Sequence, residues 1–179
     1  MPAMINMAGN FFLIGLMGAG KTTVGRQLAF RLGKDFYDSD HEIVARTGVP
    51  VTTIFEIEGE ERFRAREAQM IAELTQKQNI VLATGGGVIL REDNRRALAQ
   101  NGTVIYLRSS IDAILERTRY DRTRPLLQTE NPRAKLEALF KQRDPLYQEI
   151  ADITIDASEL FFSTLMRNLL LTIEQYPSS

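Results

Sequence analysis

The chain has 179 residues, of which 44% are hydrophobic and 25% are charged, with a formal net charge of −1, and this length suits one domain with a sizeable core. The near-neutral charge argues against a nucleic-acid partner held by a general basic field, and no apolar stretch reaches the roughly 20 residues of a membrane span. Cysteine is absent, which excludes disulfides and thiolate metal sites and fits a reducing compartment such as the cytoplasm. The first segment, 1–10, carries no strand or helix pattern, and we expect it to be a flexible leader.

A glycine-rich motif follows the leader. Residues 15–22, GLMGAGKT, match the pattern G-x-x-x-x-G-K-[ST] at every fixed position. A wholly apolar run at 11–14 predicts a buried strand before the motif, and apolar residues at helical spacing predict a helix after it that ends at Gly33. Backbone N–H groups and the helix dipole favour an anion at such a junction. We therefore predict a phosphate-binding loop, in which Lys21 reaches the β- and γ-phosphates and the Thr22 hydroxyl holds magnesium; the alternative is a glycine-rich turn that binds nothing.

Two aspartates come next, at the end of a short strand within residues 34–40. A capping-box pattern that begins at Ser39 predicts a helix, which Gly48 ends. Open α/β sheets bind ligands at the carboxyl ends of their strands. Asp38 and Asp40 can therefore serve a magnesium ion and the proton of a hydroxyl. The alternative is that Asp40 only caps the helix, and the residues alone leave the two interpretations even.

A helical region begins at Val51, breaks at Gly59 and continues over about 60–76. Arg64 and Glu67 are three residues apart and therefore close together on this helix. Such a pair is usually a surface salt bridge that contributes little to stability. The alternative is that Glu67 orients Arg64 to clamp a substrate carboxylate.

Three glycines, 85–87, follow a third strand at Ile80–Ala83. They are more than a turn needs, and they suggest a backbone that approaches a ligand closely and donates N–H groups to it. The pattern then predicts a helix over 91–100 and a strand over 103–107, followed by a helix capped by Ser109 or Ser110.

A cluster of basic residues precedes Pro125. It consists of Arg117, Arg119, Arg122 and Arg124. A solvated basic loop is one interpretation, but a lid that closes over a triphosphate explains the cluster better, because phosphoryl transfer needs charge stabilisation and exclusion of water. Beyond it, Asn131 and Pro132 predict the start of a helix that breaks at 143–145, before a last strand at 153–155 and a closing helix. Five strands with helical crossovers predict an α/β fold, a parallel sheet with helices on both faces.

Taken together, these segments resemble the shikimate kinase family, in its bacterial short form, over about residues 11–155. The resemblance rests on GLMGAGKTT (15–23), FYDSD (36–40), IFEIEGEERFRAREAQ (54–69), ATGGG (83–87), RTRYDRTRPLL (117–127) and RDPLY (143–147). It implies one kinase domain over 1–179 with the three-layer P-loop fold of nucleoside-monophosphate kinases and strand order 2-3-1-4-5. It also implies a shikimate-binding region at about 36–70 and a lid at about 117–128. The implied activity is ATP-dependent phosphorylation of the 3-hydroxyl of shikimate, with Mg²⁺ as cofactor, in a cytoplasmic monomer without nucleic-acid or membrane partners.

The resemblance also assigns roles to individual residues. The implied ATP-binding residues are Gly18, Ala19, Gly20, Lys21, Thr22, Thr23, Arg117 and Arg124. The implied shikimate-binding residues are Asp40, Phe55, Phe63, Arg64, Glu67, Gly86, Gly87 and Arg143; Phe55 and Phe63 can equally be plain core. Lys21, Asp40 and Arg124 are the implied catalytic residues, and Thr22 and Asp38, the latter through water, are the implied metal site.

One segment departs from the family pattern. Residues 156–159, DASE, stand where many relatives carry an Asn/Arg/Pro-rich loop that touches adenine. The sequence therefore supports phosphate binding more firmly than base recognition. Rival interpretations are a gluconate or nucleotide kinase, a nucleotide-dependent switch, and a structural protein with a degenerate site. The switch is disfavoured because the chain contains no N-K-x-D motif and no D-x-x-G motif after the loop.

Overall fold

The computed structural model describes residues 8–119, 127–158 and 161–176. Within these ranges, the strands form one five-stranded parallel sheet in the order β2-β3-β1-β4-β5. The strands are β1 (Phe11–Ile14), β2 (Asp35–Asp38), β3 (Ile80–Ala83), β4 (Thr103–Arg108) and β5 (Ile153–Asp156). Central β1 pairs Phe12 with Leu82 on one side and with Val104 on the other. The predicted strand order and parallel pairing are confirmed.

Helices cover both faces of this sheet. They are α1 (Lys21–Leu32), α2 (Ser39–Thr47), α3 (Val51–Leu74), α4 (Glu92–Asn101), α5 (Ile111–Thr118), α6 (Pro132–Ile150) and α7 (Phe162–Gln175), with a short 3-10 helix at Gly86–Leu90. Alternate residues of β1 divide between two hydrophobic clusters, because successive side chains of a strand point to opposite faces. Phe12 and Ile14 pack with residues of α3, α4 and α6, whereas Phe11 and Leu13 pack with residues of α1 and α7. The predicted three-layer α/β sandwich is confirmed.

The starts of several helices follow from local capping. Ser110 accepts a hydrogen bond from the Ala113 N–H and starts α5, and Asn131 does the same for α6, with Pro132 in the first turn. The predicted cap at Ser39 is wrong, since Asp38 caps α2 by accepting from the Asp40 and His41 N–H groups. Asp38 and not Ser39 is the N-cap because Asp38 is the last residue of β2. Pairing with β3 holds its backbone in the extended conformation that an N-cap requires.

The predicted break at 143–145 is also wrong. Helix α6 continues through Pro145 to Ile150. Proline removes one intrahelical hydrogen bond and crowds the preceding turn. However, Leu136, Leu139, Arg143 and Tyr147 recur at helical spacing and are all buried, so packing of this face keeps the helix intact.

The expected leader, 1–10, lies outside the described residues except for its last three. Of these, Asn10 already belongs to the fold, because its side chain is buried and accepts a hydrogen bond from the Ile80 N–H at 3.0 Å. Its amide also donates to the Lys77 and Asn101 carbonyls. Among the described residues, no helix combines the length and the hydrophobicity that crossing a bilayer requires.

Candidate active site

The phosphate-loop motif lies between the carboxyl end of β1 and the start of α1. Its backbone needs glycine, because Gly18 and Gly20 have φ angles of 77° and 96°. Lys21 is the first residue of α1, and its ammonium group donates to the carbonyls of Gly15 and, at 2.8 Å, Leu16. The loop therefore gathers a buried cation and a helix N-terminus at one point, which is the chemistry that a phosphate group requires.

Thr22 and Asp38 meet beside this loop. The Thr22 hydroxyl donates to Asp38 Oδ2 at 2.6 Å, while Asp38 Oδ1 accepts the two N–H groups that cap α2. The structure thus places together the two oxygen donors that the sequence analysis assigned to a metal. Asp38, which is 8% exposed, performs the helix-capping role that the sequence analysis had considered for Asp40.

A second pair of carboxylates, Asp40 and Glu67, faces Gly85. A Cβ atom built on Gly85 would lie 2.8 Å from Asp40 Oδ1 and 3.0 Å from Glu67 Oε2. Only a residue without a side chain fits between these groups. Burial, opposed by the attraction of Arg64 and assisted by the nearby Asp40 charge, raises the pKa of the Glu67 carboxyl to about 7. Glu67 Oε2 has no hydrogen-bond partner among the described residues.

Arg64 extends from α3 over the glycine turn. Its Nη1 donates to Glu67 Oε1 at 3.0 Å, and its Cζ lies 5.8 and 5.3 Å from the ring centroids of Phe55 and Phe63. These distances are within the range of cation–π attraction. A Cβ atom on Gly87 would overlap the guanidinium. Glu67, two aromatic rings and a glycine therefore fix the position of Arg64.

Arg143 enters the same region from α6. It is 2% exposed, and its Nε and Nη1 have no hydrogen-bond partner among the described residues. Burial lowers the pKa of this guanidinium, although the neighbouring Tyr147 hydroxyl opposes the shift. Arginine nevertheless stays protonated. A buried cation with unused donors is costly unless an anion completes it.

All of these side chains line one cavity of about 590 Å³. Its wall includes the predicted phosphate-loop residues Gly18, Gly20, Lys21, Thr22 and Thr23 and the predicted acid-binding residues Asp40, Phe55, Phe63, Arg64, Glu67, Gly86, Gly87 and Arg143. The cavity is large enough for a small ligand beside a polyphosphate tail. The structure therefore brings together two groups of residues that the sequence analysis proposed separately.

Arg117, the predicted nucleotide-facing arginine, lies beside the phosphate loop in the wall of the same cavity. Its Nη1 donates to the carbonyl of Ala19 at 3.1 Å and to Ser109 Oγ at 3.2 Å, and its Nη2 donates to the Ala157 carbonyl at 2.7 Å. The arginine thus links the phosphate loop, the end of β4 and the segment after β5, and it also lines the cavity. The Ala19 side chain is buried, and its backbone carbonyl is the group that accepts from Arg117.

Two parts of the predicted site cannot be placed. Arg124 and most of the predicted lid, residues 120–126, lie outside the described residues. In the segment that departs from the family pattern, the Ser158 hydroxyl accepts from the Ser110 N–H at 2.7 Å, and Glu159 lies outside the described residues. The expectation that this segment supports base recognition less firmly than phosphate binding therefore stays a prediction.

Known proteins share these features. The sequence profile described as Shikimate kinase matches residues 17–174. The chain belongs to the shikimate kinase family. It is therefore an enzyme of the kinase class, a transferase that uses ATP.

Individual members of the shikimate kinase family are closely similar to it. The shikimate kinase of Chromobacterium violaceum is 66% identical over 169 residues, which are 94% of this chain and 92% of the relative. The shikimate kinase of Dechloromonas aromatica is 62% identical over 161 residues, 90% of this chain and 88% of the relative. A solved structure, shikimate kinase from Acinetobacter baumannii in complex with shikimate, is 49% identical with a TM-score of 0.91 and 94% coverage of both chains. A gluconokinase from Sinorhizobium meliloti, 17% identical with a TM-score of 0.60, shares the fold alone.

Sequence reasoning missed two features of this shikimate kinase family site. Gly85 lies so close to both carboxylates that a Cβ atom there would meet them, although the prediction named only Gly86 and Gly87 as substrate-binding. Tyr147 donates its hydroxyl hydrogen to the Gly86 carbonyl at 2.6 Å, although only Arg143 of the RDPLY motif was predicted to belong to the site. Its position one turn after Arg143 could have signalled the contact, but the predicted break at 143–145 hid that relation.

Proposed function

We propose that this chain transfers the γ-phosphoryl group of ATP to the 3-hydroxyl of shikimate, giving shikimate 3-phosphate and ADP on the route to chorismate and the aromatic amino acids. The observation that carries the proposal is the pair Arg64 and Arg143, two cations that line the cavity that also contains the phosphate loop. A small carboxylic acid would pair with these two cations, since a carboxylate accepts bidentate hydrogen bonds from arginine.

The acid end of the proposed site is specified by shape as well as charge. Arg64 and Arg143 would hold the carboxylate, and Gly86 and Gly87 would offer backbone contacts that side chains would block. Phe55 and Phe63, whose ring centroids are 4.7 Å apart, would form an apolar wall for the carbocycle. Glu67 would keep Arg64 in place through the ion pair at 3.0 Å.

The nucleotide end of the proposed site is the phosphate loop, where Lys21 and the backbone amides of residues 18–23 would hold the ATP phosphates. Among the described residues, no group of three or more His, Asp or Glu side chains can form a metal cage by itself. Thr22 and Asp38 nevertheless fit Mg²⁺, which prefers oxygen ligands and is often held by few side chains together with phosphates and water. When bound there, Mg²⁺ supplies neutralisation of phosphate charge.

Phosphoryl transfer requires mainly position and charge from the protein. Asp40 would orient the 3-hydroxyl toward the γ-phosphorus, and it would accept the hydroxyl proton as the oxygen–phosphorus bond forms and ADP leaves. Lys21 would stabilise the charge that develops on the phosphates. Arg124 would stabilise the transferring group from the lid over 117–128, which would also exclude water.

The described site residues named above line one cavity within a single copy of the chain, and we propose a monomer. Since ATP is the co-substrate, we propose that the reaction takes place in the cytoplasm. The partners are then two small molecules, ATP and shikimate, without a nucleic acid or a membrane.

A coupled ADP-release assay tests the proposal. Shikimate, gluconate and nucleoside monophosphates are offered in turn with MgATP. We expect acceptor-dependent ADP release with shikimate and not with the other two classes of acceptor. Preference for gluconate or for a nucleotide would overturn the substrate assignment, and ADP release that is independent of any acceptor would overturn the transfer itself.

Two arginine variants test where the acid binds. Arg64→Ala should raise KM for shikimate and leave KM for ATP unchanged, because it removes a contact to a group that does not react. Arg62→Ala is the matched control, since Arg62 lies on the same helix but is exposed and outside the cavity. A selective rise in KM for ATP in Arg64→Ala would mean that the two substrates are assigned to the wrong ends.

A further inference from the structure

Tyr147 joins helix α6 to the glycine turn of the candidate site. It lies one helical turn after Arg143, so both side chains project from the same face of α6, and they are 1% and 2% exposed. The Tyr147 hydroxyl donates to the Gly86 carbonyl at 2.6 Å, across 61 residues of sequence. Its ring packs against Tyr106, with centroids 4.9 Å apart. Packing of the ring therefore holds the Tyr147 hydroxyl against the glycine turn.

Gly86, whose carbonyl accepts the Tyr147 hydrogen bond, lies close to both the phosphate loop and Arg143. A Cβ atom on Gly86 would lie 3.1 Å from the Met17 nitrogen of the phosphate loop and 3.4 Å from Arg143 Nη1. A small displacement of this peptide therefore changes the spacing between the phosphate loop and the arginine. Glycine has no side chain that could fix the peptide, and the Tyr147 hydroxyl supplies a contact that does so.

Tyr147 also acts on Arg143 directly. The phenol lies close enough to the guanidinium to oppose the lowering of the arginine pKa by burial. In return, the Arg143 charge opposes the raised pKa that burial imposes on Tyr147. Arg143 Nε and Nη1 have no hydrogen-bond partner among the described residues, and the attraction of Tyr147 helps to hold this cation in place.

The geometry points to Tyr147 as a positioning residue for the acid substrate. Its hydroxyl fixes the Gly86 peptide and its phenol supports Arg143, so that both meet the carboxylic acid at a set distance from the phosphate loop. This inference rests on the proposed function, because it concerns the binding of shikimate at that site. Tyr147 does not touch the reacting atoms, and its removal should affect the affinity for the acid and not the chemical step.

Tyr147→Phe and Tyr106→Phe form a matched pair of variants. Each removes one hydroxyl from the same pair of packed rings, but the Tyr106 hydroxyl donates to Asp144 and not to the glycine turn. We expect Tyr147→Phe to raise KM for shikimate about five- to tenfold, the size of one lost hydrogen bond. KM for ATP and kcat should change by less than about twofold, and Tyr106→Phe should change none of the three beyond that limit.

The pattern of kinetic constants decides between positioning and plain stability. Similar rises in KM for shikimate in both variants, or a rise in KM for ATP equal to that for shikimate in Tyr147→Phe, would overturn the inference. So would an unchanged KM for shikimate. Wild-type turnover of shikimate is measured in the same series, so that a failure of the proposed function is seen in the wild type and is distinct from a failure of the Tyr147 assignment.

A second measurement keeps the inference testable if Tyr147→Phe does not fold. The wild-type chain contains five tyrosines and can be labelled with 3-fluorotyrosine. The Tyr147 resonance is assigned by elimination, from single Tyr→Phe variants at the other positions. We expect saturating shikimate to shift the Tyr147 fluorine resonance more than that of Tyr106. A Tyr147 resonance that does not respond to shikimate would overturn the inference.

Discussion

Gly87→Ala is the most direct test of how the glycine turn and Arg64 share space. Gly87 is not among the described glycines with positive φ, so its backbone accepts alanine without strain. The effect of the substitution is therefore steric. A Cβ atom at this position would lie less than 3.0 Å from Cζ and both terminal nitrogens of Arg64, whereas ordinary contact begins at 3.4 Å.

The guanidinium must therefore retreat by about 1 Å to reach the ordinary contact distance of 3.4 Å. It cannot do so freely, because Glu67 holds it at 3.0 Å and the rings of Phe55 and Phe63 lie within 6 Å of its carbon. If the retreat costs one charge-assisted hydrogen bond to the substrate, the loss is about 1.5–3 kcal/mol. This corresponds to a rise in KM for shikimate of about ten- to a hundredfold.

The assay is coupled ADP release at saturating ATP, in a double-mutant cycle with Arg64→Ala. In the Arg64→Ala background the added methyl group meets no guanidinium, so Gly87→Ala should raise KM for shikimate by less than about twofold. An unchanged KM in the single variant Gly87→Ala would refute the steric argument. An equal rise in both backgrounds would show that the alanine acts through the turn and not through Arg64.

Three further predictions concern charge. Glu67→Gln should remove a pH dependence of stability, because burial raises the Glu67 pKa from 4.5 to about 7 and the folded state therefore binds more protons than the unfolded state between these values. The stability of the wild type relative to the variant should then fall as pH rises from 4.5 to about 7. Urea denaturation should show a fall of up to about 1.4 kcal/mol per pH unit. Arg124→Ala should lower kcat by about 10³-fold, as for other arginines that stabilise phosphoryl transfer, in steady-state assays. Asp38→Asn should keep the cap of α2, since Asn caps as well as Asp, and should raise the Mg²⁺ concentration that gives half-maximal rate while Tm stays within a few degrees.

Each of these three has a result that would contradict it. A stability difference between wild type and Glu67→Gln that is constant over pH would mean that the Glu67 carboxyl titrates in its ordinary range. An unchanged kcat in Arg124→Ala would remove this arginine from phosphoryl transfer. A lower Tm in Asp38→Asn with the same Mg²⁺ requirement would leave Asp38 with the capping role alone.

The fold could be predicted because its signals are local. The runs at 11–14 and 80–83 are wholly apolar, as central parallel strands are, and both form fully buried strands. Glycine marks the C-terminal ends of α1 and α2, and capping side chains mark the starts of α5 and α6. These helix ends could therefore be predicted. At 38–39, however, two good capping residues are adjacent, and the pairing of β2 with β3 selects between them.

The site could be predicted only in part, because its contacts are distant in sequence. The Arg64–Glu67 pair follows from helical spacing, and the structure contains it at 3.0 Å. The approach of Glu67 to Asp40, of Arg64 to Gly87 and of Tyr147 to Gly86 depends on how α3, α6 and the glycine turn pack, which spacing does not encode. The Pro145 prediction failed for a related reason, since a local rule about proline was outweighed by burial of one helix face.

The central claim is that one cavity holds a polyphosphate at Lys21 and a carboxylic acid between Arg64 and Arg143. A crystal structure of the protein with MgADP and shikimate tests it most directly. We expect the acid carboxylate within hydrogen-bond distance of both arginines and its 3-hydroxyl beside Asp40, facing the phosphate loop. Shikimate bound away from Arg64 and Arg143, or with its 3-hydroxyl turned away from the nucleotide, would contradict it.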